Sequence, residues 1–167
     1  MNPKSPITQF ISISNRNDWL YIAILPLIIS AAISISLSFG EIVKVAQYLI
    51  DIVPVVSSIL LGFLGMIMVA SLSNNSIFDK MRDTPLTIKG ETVSAYRVFF
   101  IGLFIDLLLF VILLTISLIF GSINSSLVLG QSFAIIEVTI ILFFLISSSL
   151  LFIRNMDRVY QVTIHVS

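Results

Sequence analysis

The sequence predicts an all-α membrane protein with four transmembrane helices. We expect two helical hairpins joined by a cytoplasmic loop and followed by a small, strand-like cytoplasmic tail. Of 167 residues, 57% are hydrophobic and only 11% are charged, and the mean hydropathy is +1.10. A soluble domain of this length could not bury so much apolar surface, so lipid must surround most of the chain. We therefore interpret residues 1–167 as one membrane domain with spans at about 19–39, 51–72, 98–120 and 131–153.

The first apolar run follows a polar leader of 18 residues. It is too long for the apolar segment of a secretory signal, which has roughly 7–15 residues, and about 20 residues suffice to cross the hydrocarbon core. Trp19 and Tyr21 lie at its start, where aromatic side chains anchor a helix at the lipid–water interface. This pattern predicts a retained spanning helix.

Small residues share one face in each of the first two spans. They are Ser30, Ser34 and Ser38 in the first span and Ser58, Gly62 and Gly65 in the second. Such spacing lets helices approach closely, so we predict a packing seam between the two spans or between two copies of the chain. The alternative interpretation is a polar stripe that lines a pore.

The polar segment 73–97 separates the two predicted hairpins. Its first part, residues 75–83, has an apolar face and a charged face, which predicts a short interfacial helix. Thr84 and Pro85 end that helix, and residues 86–90 predict a brief extended segment. The whole segment is too small for a catalytic domain but long enough to dock a protein.

Basic residues are distributed unevenly about the four spans. With an even number of spans, eight of the nine lysines and arginines fall on one side, and only Lys44 falls on the other. The eight are Lys4, Arg16, Lys80, Arg82, Lys89, Arg97, Arg154 and Arg158. By the positive-inside rule, both termini and the central loop are cytoplasmic in a bacterial inner membrane.

Two acidic residues lie inside predicted spans. Asp106 is nine residues beyond Arg97, which places it about 13 Å along the third helix. A charge there costs about 2.5–3.5 kcal/mol on insertion scales. Asp106 is either a functional proton or cation site or a neutral acid hydrogen-bonded to a serine of another helix. Glu137 is shallower, and we expect it to reach the outer water.

The tail alternates between apolar and polar residues from Val159 to Val166, which is the period of a strand. A lone strand needs a partner, such as the leader, the segment 86–89 or the edge of another protein's sheet. We therefore predict a docking surface in the loop and the tail. Its residues are Leu86, Ile88, Lys89, Tyr160, Val162 and Ile164.

Sequence motifs for catalysis or cofactor binding are missing. There is no cysteine and only one histidine, His165, so we expect no metal site and no catalytic residues. Phosphate-binding, dinucleotide-binding and hydrolase motifs are also missing, and we expect no cofactor. The basic residues are those that topology requires, so direct nucleic-acid binding is not predicted.

Four spans, internal termini and a basic central loop together resemble the membrane subunits of the Kiwa anti-phage defence systems. The resemblance covers nearly the whole chain, but it lies in the arrangement of spans and loops and not in a sequence motif. The resemblance implies a homo-oligomer, specifically a tetramer, that senses phage attack at the inner membrane and holds a cytoplasmic, DNA-associated effector. It assigns no site residues.

Three functions fit these observations. The first is an oligomeric scaffold or sensor that docks a cytoplasmic effector protein. The second is a small homo-oligomeric ion channel with Asp106 near the conduction path. The third is a proton-coupled carrier, although the two predicted hairpins lack the similarity that inverted repeats would show.

Overall fold

A computed structural model describes residues 5–14, 16–73, 76–123 and 131–165. Four of its helices are long and apolar enough to cross a membrane, which confirms the prediction of an all-α membrane protein. The elements in chain order are α1 (Pro6–Ile13), α2 (residues 16–36), α3 (Phe39–Leu72), α4 (Ser76–Asp83), β1 (Pro85–Ile88), β2 (Glu91–Ser94), α5 (Ala95–Ile123) and α6 (Gln131–His165).

The first spanning helix, α2, changes its hydrogen-bond pattern near Pro26. Its turns are α-helical over Arg16–Trp19 and Leu25–Ser36, but Leu20–Ile24 forms a π-helical turn in which the Leu25 N–H reaches the Leu20 carbonyl. Pro26 has no N–H to donate and crowds the carbonyl four residues earlier. Widening the preceding turn accommodates that carbonyl, and proline and π-turns commonly bend helices.

The second spanning helix, α3, starts earlier than predicted. Residues 40–50, predicted as an outer connection, are helical, and Ser38 caps the helix in a reciprocal capping box with Glu41. With 34 residues, α3 is about 51 Å long, whereas the hydrocarbon core is about 30 Å thick. The strong cap therefore extends the helix well beyond the length needed to span a bilayer.

The four spanning helices do not pack as two separate hairpins. Helix α6 contacts α2, α3 and α5, and α3 also packs against α5, whereas α2 packs mainly on α6. The largest core cluster includes Val53, Leu64, Phe99, Leu103 and Ile141, which come from α3, α5 and α6. The prediction of a first hairpin formed by packed helices is therefore wrong, because α2 buries its inner face against the last helix instead.

The segment 76–94 folds at one end of the bundle. Helix α4 and strand β1 occupy the positions of the predicted short helix and extended segment, and β1 pairs with β2 in an antiparallel hairpin. Lys89 and Gly90 form its turn, both with positive φ, as a type I′ hairpin turn requires. We call the end of the bundle that carries α1, α4 and this hairpin the hairpin end.

The strand predicted for the tail is wrong. Helix α6 continues without interruption to His165, and Val166 and Ser167 lie outside the described residues. Alternation over eight residues is a weak strand signal where the segment follows a long helix. Extending an existing helix needs no new nucleation, and each added residue gains one backbone hydrogen bond. A strand would also need a partner edge for its backbone groups, whereas a helix satisfies them within the segment.

Candidate functional site

A fully buried polar contact joins α5 to α6. Asn155 donates a 2.8 Å hydrogen bond from Nδ2 to Oδ2 of Asp106, and both side chains are fully buried. Gly102, one turn from Asp106, lies directly beneath the amide: a Cβ on it would come within 2.8 Å of Asn155 Cγ and Nδ2. Because Gly102 has no side chain, the Asn155 amide fits between α5 and α6.

A second contact at the same level joins α6 to α2. Nη2 of Arg154 lies 2.6 Å from Oδ2 of Asp18, and the two side chains are only 22% and 16% exposed. Adjacent residues of a helix point about 100° apart, so Arg154 and Asn155 reach different neighbouring helices. We call Asp18, Asp106, Arg154 and Asn155 the polar layer; it ties three spanning helices together.

An open cavity of about 380 Å³ lies beside the polar layer, between α2 and α6. Its walls are mixed, with apolar side chains next to charged ones. The lining residues are Asp18, Tyr21, Ile22, Leu150, Ile153, Arg154 and Asp157. Charged and apolar surfaces in one cavity suit the boundary between lipid and water.

The two predicted intramembrane acids are not brought together. Glu137 lies on α6, 18 residues before Asn155, or about 27 Å away along the helix axis. It is fully buried, so the expectation that it reaches the outer water is wrong. Asp106 is bonded to an asparagine rather than to the serine considered from the sequence.

The serines of the first span have separate roles. Ser30 and Ser34 are buried on the helix that packs against α6, and their hydroxyls donate to the Leu27 and Ser30 carbonyls of their own helix. Ser38 is outside the span, because it caps α3. The serines therefore do not form one continuous stripe.

The small residues of the second span point away from the bundle. Ser58 and Gly62 are exposed, Gly65 is half-buried, and a Cβ on either glycine would meet nothing within 4 Å. The predicted seam between the first two spans is therefore wrong, since the buried face of α3 is instead the one carrying Val53, Ser57 and Leu64.

The predicted docking residues are split between the hairpin and the end of α6. Leu86 and Ile88 are half-buried in β1, and Lys89 Nζ donates a 2.7 Å hydrogen bond to the Ser14 carbonyl. Tyr160 is 64% exposed, on a helix rather than on a strand. The backbone of Val162 and Ile164 is helical, and their side chains lie outside the described part of the chain.

Sequence reasoning missed Gly102, Asn155 and the partnership of Asp18 with Arg154. A usable signal was present, because Gly102 and Asp106 are four residues apart and share a helix face. Its partner could not be identified without knowing which helices are neighbours. No group of three potential metal ligands occurs within the described ranges. The geometry of the polar layer supports helix association.

Comparison with known proteins identifies no relative: no family model, no curated protein and no solved structure matches this chain.

Proposed function

We propose that the protein is an oligomeric scaffold or sensor in the bacterial inner membrane that docks a cytoplasmic effector protein and acts in anti-phage defence. The observation that carries the proposal is the hairpin end, where short elements with exposed polar and charged side chains pack on the spanning helices. The polar layer would hold these helices together beneath it. Four membrane helices supply the anchor.

The hairpin is held on the bundle by contacts distant in sequence. Besides the Lys89–Ser14 bond, Arg97 donates from Nε and Nη2 to Gln9 Oε1 at 3.1 and 2.9 Å. These bonds join the hairpin turn to the residue that follows α1, and the start of α5 to α1 itself. A two-stranded hairpin alone is marginal in water, so this attachment supports a persistent surface that a partner could recognise.

The hairpin also offers a recognition mode. In the described residues its sheet contains β1 and β2 alone, so each strand has an unpaired edge. A partner strand could add to such an edge, with main-chain bonds giving affinity and neighbouring side chains giving specificity. The exposed side chains of Thr87 and Tyr160 lie outside the packed core and are free for such contacts.

We also propose that the protein is a homo-oligomer, with the tetramer that the resemblance implies. The outward face of α3 with Ser58 and Gly62 is available to lipid or to a second copy, and small residues there would permit close approach. The channel alternative has less support. Asp106 is buried within a single chain and hydrogen-bonded to Asn155, and Ser30 and Ser34 bond their own helix.

The orientation can be tested by single-cysteine labelling, because the chain has no native cysteine. We expect cysteine at Gly90, in the hairpin turn, to resist a membrane-impermeant thiol reagent in intact cells and to react after lysis. Cysteine at Tyr48, which is 63% exposed on α3, should react in intact cells. The opposite labelling pattern would reverse the orientation and place the hairpin outside the cell.

Docking can be tested with a photo-reactive residue at Thr87 in the native host. We expect illumination to join the full chain to one cytoplasmic protein, and truncation of residues 160–167 to reduce that adduct if Tyr160 contributes to the surface. The same residue at Tyr48 is the control and should give no such adduct. Equal adducts from both positions, or none from Thr87, would contradict docking at the hairpin.

A further inference from the structure

We propose that Asp106 holds a proton and that Gly102, Asp106 and Asn155 form a proton-binding site between α5 and α6. The inference goes beyond docking and does not depend on it. Asp106 and Asn155 share one hydrogen bond, and each has one oxygen left over. Asn155 Nδ2 donates to Asp106 Oδ2, while Asp106 Oδ1 and Asn155 Oδ1 are both buried and have no hydrogen-bond partner among the residues that the structure describes.

The pair is short of one donor. An ionised carboxylate only accepts hydrogen bonds, so it could not satisfy the oxygen of Asn155. A protonated carboxyl group donates one bond and accepts others. After a rotation of the terminal amide, an acid and an amide can exchange two hydrogen bonds, which would use both oxygens that now lack partners. A proton is the smallest addition that completes the site.

Within the described residues, no basic side chain is hydrogen-bonded or ion-paired to Asp106. The charged residues on α5 and on the elements packed against it are Arg97 on α5; Asp79, Lys80, Arg82 and Asp83 on α4; Glu91 on β2; Asp51, Lys44 and Glu41 on α3; and Glu137, Arg154, Asp157 and Arg158 on α6. Helix α1 carries none.

The cations with described hydrogen bonds are engaged elsewhere. Arg97 is bonded to Gln9, Arg82 to Asp79 and Arg154 to Asp18. Within the described part of the chain, Asn155 is the only group that hydrogen-bonds Asp106. An unpaired charge in a buried, lipid-surrounded site is costly, and taking up a proton removes that cost.

Gly102 provides the space that the Asn155 side chain occupies beside Asp106. Its bare backbone leaves room for the Asn155 amide within one helical turn of the carboxyl group. Loss or gain of the proton would change the number of hydrogen bonds between α5 and α6. The state of this interface is therefore linked to proton binding at Asp106.

Infrared difference spectroscopy of the full-length protein in bilayers tests the proposal directly. Wild type minus Asp106→Asn at neutral pH should show a positive carbonyl band of a protonated carboxyl group. Glu137 is present in both samples and cancels. The control difference, wild type minus Asp51→Asn, removes an exposed acid outside the site and should not contain the band assigned to Asp106. Carboxylate bands in the Asp106 difference would overturn the proposal.

A second measurement needs no variant, in case Asp106→Asn fails to fold. With carboxyl-¹³C aspartate incorporated in the wild type, six side chains are labelled. We expect one of them to give the magnetic resonance signal of a protonated acid at neutral pH. Six ionised signals would refute the proton site.

Discussion

Gly102→Ala protein is expected to lose the contact between α5 and α6 at the polar layer. The added Cβ would lie within 2.8 Å of Asn155 Cγ and Nδ2, so the amide would have to move. Asn155 is fully buried and bonded to Asp106, and moving it would break that bond. Overpacking of this kind typically costs about 1–3 kcal/mol of unfolding free energy, and the lost hydrogen bond adds to the cost.

The unfolding free energy in detergent micelles, followed by circular dichroism during titration with a denaturing detergent, measures this loss. Gly62→Ala is the matched control, since its Cβ would meet nothing within 4 Å and alanine favours a helix over glycine by about 1 kcal/mol. We expect Gly62→Ala to be neutral or stabilising. Equal effects of the two changes would contradict the packing role of Gly102.

A double variant separates crowding from other effects of the substitution. Asn155→Ala removes the side chain that the new Cβ would meet, so the cost of Gly102→Ala should nearly vanish in an Asn155→Ala background. Residues in direct contact commonly show coupling of about 0.5–3 kcal/mol in such cycles. Additive effects would mean that Gly102 acts through some other contact.

Asp18→Asn is expected to loosen α2 from the rest of the bundle. Asp18 and Arg154 are mostly buried, and removing Asp18 takes away the ion-pair partner of Arg154. Breaking a buried ion pair costs about 3–5 kcal/mol of unfolding free energy. Because this pair is partly exposed, we expect a loss near the lower end of that range. Trp19 follows Asp18 and packs edge-on against Phe10, so its fluorescence reports the position of α2.

The pair of Asp79 with Arg82 provides the control for Asp18→Asn. Its atoms are 2.7 Å apart, but its side chains are 50% and 37% exposed, and surface pairs contribute about 0–1 kcal/mol. Asp79→Asn should therefore have little effect. Exchanging the charges, with Asp18→Arg and Arg154→Asp together, should recover much of the loss. Equal losses from Asp18→Asn and Asp79→Asn would show that burial does not strengthen the first pair.

The membrane class and the number of spans were determined by the sequence alone. Apolar runs of about 20 residues have few physical alternatives to spanning helices, because lipid leaves backbone groups no other partners. Local signals also predicted α4 and β1, since helix amphipathicity and the break at Pro85 act within a few residues. The start of α3 and the end of α6 could not be predicted from their apolar runs. The cap at Ser38 starts α3 before its apolar run, and continued helical hydrogen bonding extends α6 beyond its own.

Only the tertiary structure decided which helices are neighbours. The sequence indicated that Asp106 needed a partner, but Asn155 is 49 residues away, and nothing local connects the two. Ser58, Gly62 and Gly65 have the spacing of a helix seam, yet they face outward because α2 packs on α6 instead of on α3. Periodicity assigns residues to a face of a helix, whereas the partner of that face depends on the packing of the whole bundle.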